Sequence, residues 1–115
     1  MLSTIPAALT DLKQGKMIIV CDDEDRENEG DLIIPAQFIK ACDVNFMLTH
    51  ARGLICAPIS AELARKLELP LMVKQANKID DTAFTLSIDA ASGISTGVST
   101  KDRAHTLSLL ANPAT

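Results

Sequence analysis

Ile5, Ala8, Leu9 and Leu12 recur at the three- and four-residue intervals that gather apolar side chains on one side of a helix. Pro6 suits a first turn and Gly15 lies past the end, so the pattern predicts a helix over 6–13. The run KMIIVC then predicts a short buried strand and DLIIPA a second, stopped by Pro35, with the loop DDEDRENEG between them. CDVNFMLTHA fits a helix carrying Val44, Met47 and Leu48 on one side, and GLICAPI a third strand. Ser60 can cap the helix AELARKLEL, which Pro70 closes. AFTLSID alternates, with Thr85 and Ser87 facing one way and Phe84, Leu86 and Ile88 the other. GISTGVST is a glycine-punctuated turn, and Ser99 with Asp102 starts a helix through Leu110, with Asp in place of the usual Glu of a capping box. Strands interleaved with helices predict an α/β fold of the α+β type, in three layers with a mixed sheet between helices. No repeat, low-complexity tract or linker divides the chain, which reads as a single domain over 1–115.

Composition narrows the function. At 115 residues, 47% hydrophobic and 23% charged, the chain is a folded globular domain rather than a disordered one. Three Phe and no Trp or Tyr leave no stacking platform for single-stranded nucleic acid. Three cysteines without a C-x-x-C pair read as reduced thiols of a cytoplasmic protein. The first residues lack the form of a signal peptide, and no apolar run approaches the ~20 residues of a membrane span.

The net charge of −4 is unevenly placed, because the ten residues 22–31 hold seven carboxylates and one arginine. Unit charges ~4 Å apart repel by ~1 kcal/mol even in bulk water, so this crowding opposes folding unless a counter-charge arrives. A solvated surface loop is the ordinary reading of such a run. Three features argue for a site instead: tight flanking strands, Arg26 set among the acids, and Gly30, which lets a ligand approach the backbone. An EF-hand fails, since a loop starting at Asp25 has Ala36 where the bidentate Glu belongs. Carboxylates with water and substrate oxygens instead fit Mg2+ or Mn2+.

DDEDRENEGDLI, RGLICAP, LPLMV, TAFTLSIDA and GISTGVSTKDRAHTL, in that order, closely resemble 3,4-dihydroxy-2-butanone 4-phosphate synthase of riboflavin biosynthesis. The likeness runs from Leu12 to Thr115. It implies a lyase that converts D-ribulose 5-phosphate to 3,4-dihydroxy-2-butanone 4-phosphate and formate with Mg2+ or Mn2+, working as a homodimer. Carried over by motif, Glu27 resembles the loop's metal ligand, Arg26 a substrate contact and Asp31 a partner of a substrate hydroxyl. Asp22 and Glu29 resemble further active-site acids, Glu29 a candidate for proton transfer. Cys56 resembles a cysteine lining the family's site, or is simply a small buried strand residue; Thr96 resembles a substrate-phosphate contact, or is turn chemistry alone. His50 and His105 lack metal-spaced partners, and ordinary ion pairing is the expectation for Arg52 and Arg103.

The likeness covers about the first half of the family's domain, without the RPGH loop, the metal-site His or the late catalytic Glu of its second half. The apolar last helix followed by LLANPAT predicts a longer parent. The chain alone is therefore expected to be inactive or nearly so, with edges and the last helix face exposed. The alternatives are a non-catalytic interaction module or a divalent-cation binding module derived from the same scaffold.

Overall fold

A computed structural model gives the fold and describes residues 2–73 and 82–114. Helix α1 spans Ile5–Lys13, with the Thr4 hydroxyl accepting from the Ala7 amide at 3.4 Å and Gly15 in the left-handed region at φ 75° beyond its end. Strands β1 (Ile18–Cys21) and β2 (Gly30–Ile33) pair antiparallel, in the register Ile18 with Ile33 through Cys21 with Gly30. A single 3-10 turn, Ala36–Phe38, leads into helix α2 (Ala41–His50), whose N-cap residue Lys40 donates its amide to the Asp43 carboxylate at 2.8 Å. Arg52, at φ 61°, closes α2. Helix α3 (Ala61–Lys66) begins on the Ser60 hydroxyl, and helix α4 (Thr100–Leu110) on that of Ser99, which accepts from the Asp102 amide at 3.0 Å.

The α+β class holds, but the sheet among the described residues is a two-stranded antiparallel ribbon rather than a mixed sheet between helices. The expected strand at 53–59 has no regular structure, and that at 83–89 contributes only a bridge from Thr85 to Leu71. Among the described residues neither segment has a neighbouring strand to complete a ladder. The ribbon is also not the buried element expected: Ile19 is 68% exposed and Val20 44%. Phe84 and Leu86 are half exposed rather than buried on a sheet face. Helix α3 stops at Lys66, short of Leu69, because Glu68 turns left-handed at φ 52° and the Leu69 amide bonds back to the Ala64 carbonyl at 2.9 Å. The segment KQANKIDDTAFT, which looks shorter than its family counterpart and so leaves loop details open, lies outside the described residues over 74–81.

The core lies where α2 meets α4. Val44 is fully buried against Ala104 and Leu107, and Ile39, Ile55 and Ala57 close over them. Val44 sits on the side of α2 expected from its spacing, whereas Leu48 remains 43% exposed. The ribbon contacts α1, and beyond α1 Gly15 approaches Phe38 so closely that an added Cβ would come within 3.0 Å of the ring. No helix among the described residues is long and apolar enough to cross a membrane.

Candidate active site

The crowded acids are arranged by one of their own number. After Cys21 the chain leaves β1, and the Asp22 carboxylate folds back under the loop. It accepts from the Glu29 amide at 2.8 Å, the Glu27 amide at 3.0 Å and the Arg26 guanidinium at 3.0 Å. Asp23 caps the turn by accepting from the Asp25 amide, and Asn28 takes the left-handed conformation at φ 51° that the reversal requires. Repulsion is thus relieved partly by backbone dipoles: the Glu29 and Glu27 amides, followed by Arg26, hold the Asp22 carboxyl below its ordinary value.

Arg26 and Glu27 point outward, the Arg26 side chain 67% and the Glu27 side chain 62% exposed, with 3.5 Å between guanidinium and carboxylate. Glu29 is exposed next to them, and Asp31 projects from β2 at the position paired with Val20. Arg26, Glu27, Glu29 and Asp31 therefore share one hairpin end. Asp22 differs from the others: three of its acceptor positions are committed to the loop, which suits holding Glu27 and Glu29 in place better than moving protons.

Thr96 and Cys56 lie on other segments, and among the described residues no hydrogen bond or ion pair joins them to the hairpin. Cys56 is exposed, its thiol 3.7 Å from the Leu54 carbonyl, so it is not a buried strand residue. Thr96 is exposed in the turn before α4. The two neighbourhoods meet at a cleft of about 340 Å³ lined by Gly53, Leu54, Ile55, Gly97, Val98 and Arg103 among others. Gly97 is buried at φ 83°, and a Cβ there would come within 2.5 Å of the Asp89 carboxylate. Gly97→Ala is accordingly expected to destabilise the fold by about 1–3 kcal/mol, a loss that urea unfolding would measure.

The ion pairing expected of Arg103 is found, and with it come contacts from α4 to the long segment before it that sequence reasoning missed. The Arg103 guanidinium reaches Asp89 at 3.1 Å and the Ile88 carbonyl at 3.4 Å, the Thr106 hydroxyl accepts from the Ala90 amide at 3.0 Å, and the His105 ring meets the Ser92 carbonyl at 3.2 Å. The signal was available: Asp102, His105 and Thr106 recur at helical spacing and form a polar stripe where an apolar one would ordinarily pack. His50 instead packs its ring on Phe46, with centroids 4.4 Å apart.

Asp102 is buried, and its carboxyl is held below the ordinary 3.8, first by the Ser95 hydroxyl and then by the Ser95 and Gly97 amides. A depressed folded value means that the stabilisation is complete above the unfolded value and is lost as pH falls through it toward the folded one. Stability is expected to be flat down to about pH 5 and to fall below 3.8 as Asp22 and Asp102 protonate. In Asp102→Asn that acid limb should be shallower when unfolding is followed by circular dichroism against pH.

Among the described residues no three His, Cys, Asp or Glu side chains converge to hold a metal ion. Glu27 fits as a single carboxylate ligand of an ion whose other positions carry water and substrate oxygens, a habit of Mg2+, and not as part of a closed cage.

The profile described as 3,4-dihydroxy-2-butanone 4-phosphate synthase matches residues 6–115. The chain belongs to that family. The synthase of Pseudomonas aeruginosa is 52% identical over 106 residues, covering 92% of this chain and 29% of that protein. The riboflavin biosynthesis protein RibBA of Bacillus mycoides is 53% identical over 114 residues, covering 99% of this chain and 28% of its own length. A solved 3,4-dihydroxy-2-butanone 4-phosphate synthase in complex with two magnesium ions is 41% identical with a TM-score of 0.91, over 97% of this chain and 52% of that one. The family member of Candida albicans gives 44% and 0.85, over 98% of this chain and 55% of its own. The chain therefore spans about three-tenths of the curated relatives' length and about half of these two solved synthases.

Proposed function

We propose that this chain is the N-terminal portion of a 3,4-dihydroxy-2-butanone 4-phosphate synthase domain whose whole protein converts D-ribulose 5-phosphate to 3,4-dihydroxy-2-butanone 4-phosphate and formate. The observation that carries the reading is the Asp22-centred loop, which spends one carboxylate to present Arg26, Glu27 and Glu29 together at an exposed hairpin end. The conversion needs enolisation beside a ketone, loss of a hydroxyl, a skeletal shift and release of one carbon, and each step moves a proton or stabilises an enediolate. Glu29 is the group positioned to take and return protons, because its backbone is anchored while its carboxylate is open to a ligand. Arg26 supplies a positive, hydrogen-bonding face for substrate oxygens, and Asp31 an acceptor for a hydroxyl. Thr96 and Cys56 would complete the pocket from the cleft side, Thr96 at the phosphate. A divalent ion held through Glu27, Mg2+ or Mn2+, would polarise neighbouring substrate oxygens.

A homodimer is the proposed assembly, supported by exposed apolar residues such as Ile19, Leu54 and Val98, and sedimentation would test it. The alternative of a cation-binding module has no cluster of ligands to rest on among the described residues.

Formate release from ribulose 5-phosphate and Mg2+ tests the reading in two proteins. The chain alone is expected to give little or none, since Glu27 is the one side chain assigned to the metal; turnover by it would overturn that. In a full-length protein carrying this sequence, Glu27→Gln should lower turnover by at least about a hundredfold with the fold retained. Undiminished formate production by that variant would remove the metal assignment.

A further inference from the structure

Thr96 is the exposed middle residue of a turn whose two neighbours are both fastened to one buried atom. Oδ2 of Asp102 accepts from the Ser95 amide at 3.1 Å, the Ser95 hydroxyl at 2.7 Å and the Gly97 amide at 3.1 Å. Asp102 is 4% exposed, and its own amide is fastened in turn to the Ser99 hydroxyl. The carboxylate is therefore fixed on the first turn of α4, a helix that packs on α2 in the core. Gly97 has no room for another position, since Asp89 closes the space where a side chain would stand. The Thr96 hydroxyl, by contrast, has no hydrogen bond to any described residue. A turn clamped on both sides of an unengaged, exposed hydroxyl is a preorganised contact, in which the ordering cost is met before a ligand arrives.

We infer that Asp102 is a positioning residue for substrate binding: it fixes the Ser95–Gly97 turn so that Thr96 meets the phosphate of a phosphorylated sugar. This rests on the ribulose 5-phosphate reading above and adds to it a residue that touches no substrate. Capping alone would not require the arrangement. The cap of α4 uses the Asp102 amide and the Ser99 hydroxyl, leaving the carboxylate for the turn.

The test is a titration of the chain with ribulose 5-phosphate, followed by amide chemical shifts and hydrogen exchange. In the unsubstituted protein, shifts are expected at Arg26 and Thr96 together. In Asp102→Asn, Ser95 and Gly97 amides should exchange faster, and the apparent affinity read at Thr96 should weaken about tenfold while α4 amides keep their protection. Ser95→Ala retains the carboxylate and loses only the shortest bond, so it should give a smaller weakening, about threefold, and keeps the question answerable if Asp102→Asn does not fold. A response at Thr96 that either folded variant leaves unchanged overturns the role of Asp102 and leaves the substrate reading standing. Shifts at Arg26 with none at Thr96 do the same. No response anywhere in the unsubstituted chain overturns both.

Discussion

Leu107→Ala is expected to cost about 2–5 kcal/mol, the range for emptying a buried leucine site. The loss is large here because so few side chains are sealed from water: Val44, Ala104 and Leu107 form the buried cluster, with Ile39, Ile55 and Ala57 only partly covered. Domains of ordinary size hold about 5–15 kcal/mol in total, so a single cavity at the α2–α4 contact removes a large share. Urea unfolding should show a lower midpoint or no cooperative transition. A midpoint within experimental error of the unsubstituted protein would mean that stability resides in some other contact. The same substitution at an exposed site such as Leu54, 78% accessible, is expected to change stability by less than about 0.5 kcal/mol.

Asp22→Ala is expected to undo the acidic loop without unfolding the chain. Two backbone amides and one guanidinium lose their common acceptor, and the remaining six carboxylates of the segment face one another without it. Amide exchange at Glu27 and Glu29 should quicken on the order of tenfold, while Val44 and its neighbours keep their protection. In a full-length protein, formate release should then fall with little change in unfolding midpoint. Unaltered exchange at both amides would show that the loop holds its shape by other means, and would leave Asp22 as an active-site acid alone.

Local chemistry was legible in the sequence and distant pairing was not. Ser60 and Ser99 were read as caps because a capping hydroxyl and its amide lie three residues apart. The two strands and the loop between them were legible because two apolar runs flank one short polar stretch; that β1 and β2 pair with each other is what the structure adds. The runs at 53–59 and 83–89 have strand composition, yet a strand exists only beside another, and most of their backbone finds none among the described residues. The same limit hid two roles at the candidate site. Arg26 and Glu27 stand out by residue type, but the hold of the Asp22 carboxylate on the loop depends on which amides turn toward it. Asp102 was read as part of a cap, which it is, while its carboxylate's hold on Ser95 and Gly97 needs the turn to be closed first.

The antiparallel ribbon has a kinetic consequence. Its pairs join residues close together along the chain, so it can zip up within about 1–10 μs, whereas the Val44–Leu107 contact must first draw in the long intervening stretch. The carboxylate-rich tip is therefore shaped at the outset and the seal between the two helices arrives last. Substitutions in the tip should therefore act mainly on how quickly the molecule folds, and those at the seal on how quickly the finished molecule comes apart.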